Sequence, residues 1–390
     1  MKILITSDFY FPIISGVANV VYTLKKQLEK ENHDVRILTF KKCKKSYYDE
    51  KEKIYFFKSL KFQFYKDSLS GINTHDYLMK DVYAWDPDVI HSQTEFFSMR
   101  YAKKVAKHNN CPIIHTWHTN FSAYSNNYIV GKKLFFLILN FILQKSLRYP
   151  VIKIIAPSSS TKKMIEMDYS IKTPIVEIPS GIDLNLYSTP LNETEKNELF
   201  KKYNFNKNCF RIITIARLAS EKNIDQMLKY FSELKSTTNN LQYIIVGDGP
   251  ERKNLEKITK SLKLENNVIF CGEIQPKEVH KFYKCANLFI SGSSQETQGL
   301  TYFEALASNL PIVCKKNDVL TKILIEGKNG YIFDNENEFL LKMKAIINDS
   351  DLYNSLVKNA PLSVANYGDN LFIDKLVKIY KETINEYNNI

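Results

Sequence analysis

The alternation of short apolar runs with helical spacing constrains this chain most, because the series is played twice. In the first half, strand-like runs are expected at Lys2 to Thr6, Asp34 to Phe40, Asp88 to His91, Pro112 to His115 and Ile152 to Ala156. Helical patterns at Val17 to Lys30 and Arg100 to His108 fall between them. The series restarts with a strand at Arg211 to Ala216, a helix at Asn223 to Lys235, and a strand at Tyr243 to Gly247. It continues as a helix at Glu251 to Leu262, a strand at Asn267 to Phe270, a helix at Glu278 to Cys285, and a strand at Asn287 to Ser291. A helix over 302–308 and a strand at Pro311 to Cys314 close it. Strands alternating with helices predict βαβ units and parallel sheets. At 390 residues the chain is longer than one core usually organises, so two such domains are expected. The turn-rich segment Pro179 to Asp183 reads as the hinge, giving domains at 1–182 and 183–369. A C-terminal helix at about 370–390 is expected to pack back on the first domain. Two doubly wound α/β domains would face each other across a cleft, with ligand sites at the carboxyl ends of their strands.

Several residue groups fall at such strand ends. After the strand Asn287 to Ser291 comes Gln295-Glu296-Thr297-Gln298-Gly299-Leu300-Thr301-Tyr302-Phe303-Glu304, with two carboxylates eight positions apart around a glycine turn and a helix start. Helix N-termini favour anions, so a phosphate can dock on the amides while the carboxylates accept hydroxyl hydrogen bonds on either side. That pattern suits a nucleotide sugar, whose hydroxyl-rich rings flank a diphosphate. Acidic capping of an ordinary helix is the plainer reading.

Arg217 and Lys222 lie five apart just after the first strand of the second half, where a short loop can aim both at one diphosphate. Such charges stabilise a nucleotide diphosphate as it leaves. The turn Val246-Gly247-Asp248-Gly249-Pro250 leaves room at Gly247 for a base or ribose, a weak signal alone. In the first half, Gly16 stands at a helix start, where backbone amides can approach phosphates. The surrounding residues are no G-x-G-x-x-G fingerprint, which disfavours a dinucleotide dehydrogenase. His115-Thr116-Trp117-His118-Thr119 ends another strand beside His91-Ser92-Gln93. It offers a histidine either to a sugar or acceptor or simply to the core.

Charge separates the halves. Residues 1–182 carry 27 Lys and Arg against 16 Asp and Glu, almost the entire net charge of +12. A bias confined to one domain suggests an anionic partner surface. The stretch Lys132 to Arg148 sets basic ends, Lys132, Lys133, Lys145 and Arg148, around an apolar centre too short to span a bilayer. It can pack as a core helix or lie at an interface with its lysines reaching headgroups. Basic-aromatic stretches at Lys41 to Tyr48 and Lys58 to Lys66 add candidate surface contacts. Nucleic acid would attract the same charge, but no recognition motif accompanies it. Six scattered cysteines argue for a reducing compartment and against a structural metal. The first residues run directly into a strand, so no signal peptide is expected. Asp86-Pro87-Asp88 formally matches a D-x-D metal motif but reads as a turn before a strand, and no metal or other cofactor is expected.

Taken together, the E-x7-E of Glu296 and Glu304, the R-x4-K of Arg217 and Lys222, the Ser15-Gly16-Val17 loop and the Thr-Trp-His-Thr segment resemble the retaining GT-B glycosyltransferases. The likeness covers almost the whole chain. The segments Ser294 to Tyr302, His91 to Phe96 and Pro112 to Thr119 are similar to those of bacterial 1,2-diacylglycerol 3-α-glucosyltransferases. Those enzymes usually follow the histidine with Tyr-Glu-Asp-Tyr, where this chain has Asn120-Phe121-Ser122-Ala123-Tyr124.

The resemblance implies transfer of glucose from UDP-glucose to diacylglycerol by a peripheral enzyme on the cytoplasmic face of the cell membrane. It implies Arg217 and Lys222 at the diphosphate, Glu304 at the ribose, and Glu296 at the transferred sugar. Gln298, Gly299 and Leu300 would add backbone contacts, Gly16 would approach the phosphates, and His118 would touch sugar or acceptor. Retention would come from same-face attack, with the leaving phosphate oxygen taking the acceptor's proton. Other acceptors (phosphatidylinositol, lipopolysaccharide or soluble sugars) and other donors (GDP-mannose or UDP-galactose) stay open. So does a non-catalytic nucleotide-sugar-binding or lipid-binding protein. A glycoside hydrolase using Glu296 and Glu304 is disfavoured, because it leaves Arg217 and Lys222 without a role.

Overall fold

The computed structural model describes residues 1–389 except 12, 14, 15, 62–68, 72 and 120–131, and it divides into two compact units. One comprises Met1–Gly181 with Asp369–Ile390, the other Ile182–Gly368.

The first unit is built on an eight-stranded sheet. Its order is Ile175–Glu177, Val151–Ala156, Ile113–Thr116, Val89–Ser92, Lys2–Thr6, Asp34–Lys41, Ile54–Lys58 and Tyr47–Asp49. All neighbours are parallel except the last pair. Side chains alternate between two cores, as the two-residue strand period requires. Leu4, Ile90, Ile113 and Ile154 enter one core, while Ile3, Ile5, Val89, Ile114 and Ile155 enter the other. Both faces are covered, which explains near-continuous apolar strands rather than polar alternation. The final helix, Asp369–Asn388, belongs to this unit and inserts Ile373, Leu376 and Tyr380 into the second of these cores.

The other unit has a six-stranded parallel sheet in the order Val268–Gly272, Leu241–Val246, Phe210–Ile215, Leu288–Ser291, Ile312–Lys315 and Gly330–Phe333. Alternation again fills two cores, with Ile213, Ile244, Phe289 and Ile312 on one face and Ile212, Tyr243, Ile245, Leu288 and Val313 on the other.

In each unit the chain winds outward from a central strand and then returns to that strand's opposite side. The return falls between Lys2–Thr6 and Val89–Ser92 in one sheet, and between Phe210–Ile215 and Leu288–Ser291 in the other. The loops leaving these strand pairs diverge, and such switch points are where doubly wound sheets open a ligand crevice.

Of the Lys41 to Tyr48 stretch, Lys42, Lys44, Lys45 and Tyr47 are exposed, while Tyr48 turns toward the sheet. Tyr48 lies against Tyr55, and Arg36 stacks on both rings. The Lys58 to Lys66 stretch falls largely outside the described residues.

Candidate active site

At the switch point of the Ile182–Gly368 unit, Arg217 and Lys222 follow one strand and Glu296 the other. Lys222 closes a single 3-10 turn, Ser220–Lys222, that ends at Asn223 in a left-handed conformation. The Asn223 amide donates to Gly292 O at 2.9 Å, tying the two diverging loops together. Lys222 Nζ then reaches Glu296 Oε1 at 2.6 Å, with only 22% and 14% of the two side chains exposed. Opposite charges at that distance and depth hold each other in place more firmly than a surface pair does. Arg217 is exposed on the preceding loop. That loop is pinned to the neighbouring turn: Leu218 N–H donates to Asp248 O at 3.0 Å, and Glu251 N–H to Leu218 O at 2.9 Å.

Gly247 makes the pinning possible. Its φ is +125°, and a Cβ there would lie 2.0 Å from Ala216 O. Its glycine is therefore required by the backbone beneath Arg217, a different reason from the space for a ribose that the sequence suggested. Gly299 is constrained twice as well: φ is +69°, and a Cβ would meet the Tyr302 ring at 2.5 Å. It caps the helix Leu300–Ala307 directly after buried Gln298. Tyr302 fixes the turn from below, bonding Ser291 Oγ and the Asn317 amide at 3.3 Å each.

Glu304 stands one turn into that helix and is half-buried. Tyr283 O–H donates to its Oε2 at 2.7 Å, and Tyr187 bonds the same carboxyl. Burial raises its pKa, against the opposing pull of the two phenols. Glu296 and Glu304 thus have separate partners, a cation for one and two phenols for the other. Tyr187 and Tyr283 escaped sequence reading because each lies outside the motif and meets Glu304 only in the fold.

The other unit gathers a polar network at its own switch point. His118 Nε2 lies 2.7 Å from Gln93 Oε1, and burial beside His115 lowers its pKa to about 3. His115 Nε2 meets Glu95 Oε1 at 3.2 Å, both side chains being fully buried. His91 is consumed by the core: Nδ1 bonds Tyr380 O–H at 2.6 Å and Nε2 bonds Thr116 Oγ1 at 2.7 Å. The two strand-end segments do meet, through His118 and Gln93, while His91 itself is engaged by Tyr380 on the final helix and by Thr116.

Asp8 is a residue the sequence reading passed over. Buried after the first strand, it accepts from Ser98 N–H at 2.8 Å, and its own N–H donates to Thr94 Oγ1 at 2.9 Å. It thereby secures the start of the helix Phe97–Asn109. Burial pushes its carboxyl up to about 7. The polar run Thr6-Ser7-Asp8 closing an apolar strand was the available signal. Gly16 opens the helix Gly16–Lys30 in the same unit, exposed and with nothing within 4 Å of where a Cβ would stand. The Asn120 to Tyr124 departure and Ser15 lie outside the described residues. Asp86 and Asp88 are engaged within the unit, with Asn109 and with the Lys2 backbone N–H.

The helix Lys132–Ser146 has one buried and one exposed apolar face among its described side chains. Leu139 and Leu143 are buried, while Leu137, Ile138, Phe141 and Ile142 stand exposed, two of them by about two thirds (Leu137 65%, Phe141 66%). Lys145 and Arg148 are exposed at its end, and the side chains of Lys132 and Lys133 lie outside the described ones. From residue 96 to 165 the chain contains 11 Lys and Arg and no Asp or Glu. Among the described residues no helix is long and apolar enough to cross a membrane.

Two family models match consecutive parts of the chain: Glycosyltransferase Family 4 over residues 14–186 and Glycosyl transferases group 1 over 195–363. With two parallel-sheet units and a strand-end Lys–Glu pair, these decide the family. The chain is a GT-B glycosyltransferase. It is 29% identical to an alpha-monoglucosyldiacylglycerol synthase of Acholeplasma laidlawii, over 100% of this chain and 98% of that protein. It is also 29% identical to the alpha-monoglucosyldiacylglycerol synthase of Streptococcus pneumoniae, over 94% of this chain and 84% of the relative. Among solved structures, Anabaena HepE in complex with UDP and glucose superposes with a TM-score of 0.77 at 16% identity, covering 98% of this chain and 100% of that one. This last likeness concerns the fold.

Proposed function

We propose that this glycosyltransferase moves glucose from UDP-glucose to the 3-hydroxyl of a 1,2-diacylglycerol, with retention of configuration. The observation that carries the reading is the Lys222–Glu296 pair at the switch point, with the partnered carboxyl of Glu304 one helical turn beyond Gly299. A cation, a helix start and two hydroxyl acceptors in that order match a diphosphate between two polyhydroxyl rings. In this reading Lys222 and Arg217 take the diphosphate. Glu296, relieved of its lysine, accepts hydroxyls of the glucose. The backbone at Gln298, Gly299 and Leu300 lines the sugar and phosphates, Glu304 accepts the ribose hydroxyls, and Gly247 borders the nucleoside. Gly16, with open space around it, approaches the phosphates.

The reaction breaks the bond between C1 of glucose and the diphosphate oxygen as the acceptor oxygen bonds C1 on the same face. The departing phosphate oxygen takes the acceptor proton, so no side-chain nucleophile is needed. Charge that grows on the diphosphate falls on Arg217 and Lys222, and no metal is called for. His118, neutral at working pH, contacts a hydroxyl of sugar or acceptor.

The lipid half of the proposal rests on the helix Lys132–Ser146. Its exposed Leu137, Ile138, Phe141 and Ile142 beside Lys145 and Arg148 form the pattern of a segment lying in a membrane interface, with Lys132 and Lys133 at the other end. The acid-free stretch around it favours anionic lipid, consistent with peripheral attachment to the cytoplasmic face of the cell membrane. The names of the two full-length relatives support both the sugar and the acceptor. Cosedimentation with anionic vesicles at moderate salt tests attachment: the protein should pellet with them. Recovery in the supernatant would count against a lipid acceptor and leave the soluble-acceptor reading in its place.

A further inference from the structure

Two histidines at neighbouring heights of one sheet are treated differently by their partners. His91 spends both ring nitrogens on Tyr380 and Thr116. His118 spends one, Nε2, on Gln93 Oε1 at 2.7 Å, and among the described residues its Nδ1 has no hydrogen-bond partner. Gln93 is a rigid anchor for that contact. It is 1% exposed, and its backbone N–H donates to Thr6 O at 2.8 Å across the switch point. The register Ser92↔His115 brings the ends of the two strands level, so that residues just beyond them can pair.

An amide oxygen can only accept a hydrogen bond. With the Gln93 amide turned so that Oε1 faces the ring, Nε2 of His118 carries a proton, and in a neutral ring Nδ1 is left with a lone pair. The ring is neutral, because burial and the neighbouring His115 disfavour its cation. The other titratable groups near it are His91, itself held neutral by burial, and Glu95, which faces His115.

We infer that Gln93 is a positioning residue that fixes the tautomer of His118, presenting Nδ1 as a neutral acceptor for a hydroxyl of the bound sugar or of the lipid acceptor. The hydroxyl rests on the proposed glucosyl transfer; the tautomer does not. The same arrangement excludes His118 as a general acid, since its one proton is held by Gln93 and faces away from the open nitrogen. Gln93 acts through His118 and touches no substrate itself.

Long-range proton–nitrogen NMR on the full chain labelled with 15N-histidine reads the tautomer directly, with His118 assigned by its absence in His118→Asn. At neutral pH the Nε2-protonated neutral form is expected; an Nδ1-protonated ring overturns the assignment whatever the substrate. UDP-glucose and diacylglycerol in mixed micelles are then added separately. A shift of Nδ1 with the first identifies a sugar hydroxyl, and a shift only with the second identifies the acceptor's. If neither moves it, the presentation of Nδ1 to a hydroxyl is overturned even though the tautomer stands.

Gln93→Glu gives a kinetic arm. An anion in contact with the ring favours its protonated form, so Nδ1 becomes a donor. We expect kcat/KM to fall roughly ten- to a hundredfold at neutral pH and to recover as pH rises and the ring loses its proton. A flat pH profile at the wild-type rate overturns the positioning role.

Discussion

The two units place their candidate groups at equivalent points of equivalent folds, yet prepare them in opposite ways. In Ile182–Gly368 the switch point holds opposite charges in contact, Lys222 against Glu296, and a carboxyl braced by two phenols. In the other unit burial works against charge, raising the Asp8 carboxyl to about 7 and lowering His118 to about 3, beside the buried His115–Glu95 contact. A site for a dianionic leaving group needs fixed charge where negative charge grows, and supplies it in advance of binding. A site that meets hydroxyls and a lipid gains nothing from buried charge, which would cost more than a hydroxyl contact returns. In the proposed function the ionic half meets the donor and the other half meets the acceptor.

Substitutions can break that contrast in order of size. Lys222→Ala should lower kcat/KM by about 10²–10³, roughly 3–4 kcal/mol, the scale of removing one donor from a preorganised charge site. A rate within twofold of wild type would place the diphosphate elsewhere. Asp8→Asn should change the pH dependence of stability by about as much. The folded carboxyl is raised from 3.8 to about 7, so its contribution is complete below about pH 4 and is lost as pH rises toward 7. Denaturant titrations of wild type should show stability falling over that window relative to the variant, on the order of 2–4 kcal/mol; parallel profiles would mean that Asp8 is ionised in the fold. Glu304→Gln should raise KM for UDP-glucose about tenfold or more with kcat nearly unchanged, a loss of some 1.5–3 kcal/mol in hydroxyl bonding. A fall in kcat alone would move Glu304 from the ribose to the reacting sugar. The smallest effect is expected from Phe141→Ser, on the exposed face of its helix. Vesicle affinity should drop by roughly tenfold while folded stability stays within about 0.5 kcal/mol. Equal pelleting by both proteins would remove the apolar face from the membrane reading.

What sequence could convey follows from the range of each interaction. The doubled alternation, the E-x7-E segment and the Arg217–Lys222 spacing are local patterns, and the strands and helices around them form within three residues of where they were expected. The candidate groups of the Ile182–Gly368 unit were legible because a strand end, a tight turn and a helix start fix side-chain direction within about ten residues. Long-range partners were not. Nothing near Glu304 points to Tyr187, more than a hundred residues earlier, and nothing near His91 points to Tyr380, whose hydroxyl engages that histidine's Nδ1. Gly247 shows the same limit in reverse: it was noticed, but the Ala216 carbonyl that demands it is visible only in the folded chain. The apolar helix Lys132–Ser146 stayed ambiguous in sequence because apolar residues surround it. Only packing separates Leu139 and Leu143 from the exposed Leu137 and Phe141.

The most direct measurement offers radiolabelled UDP-glucose, UDP-galactose and GDP-mannose separately to the enzyme with diacylglycerol in mixed micelles containing anionic lipid, and determines the anomeric configuration of any glycolipid formed. The expected result is a single α-linked monoglucosyldiacylglycerol, made from UDP-glucose and abolished by Lys222→Ala. A β-linked product, a different donor, or label appearing only in water-soluble acceptors would contradict it.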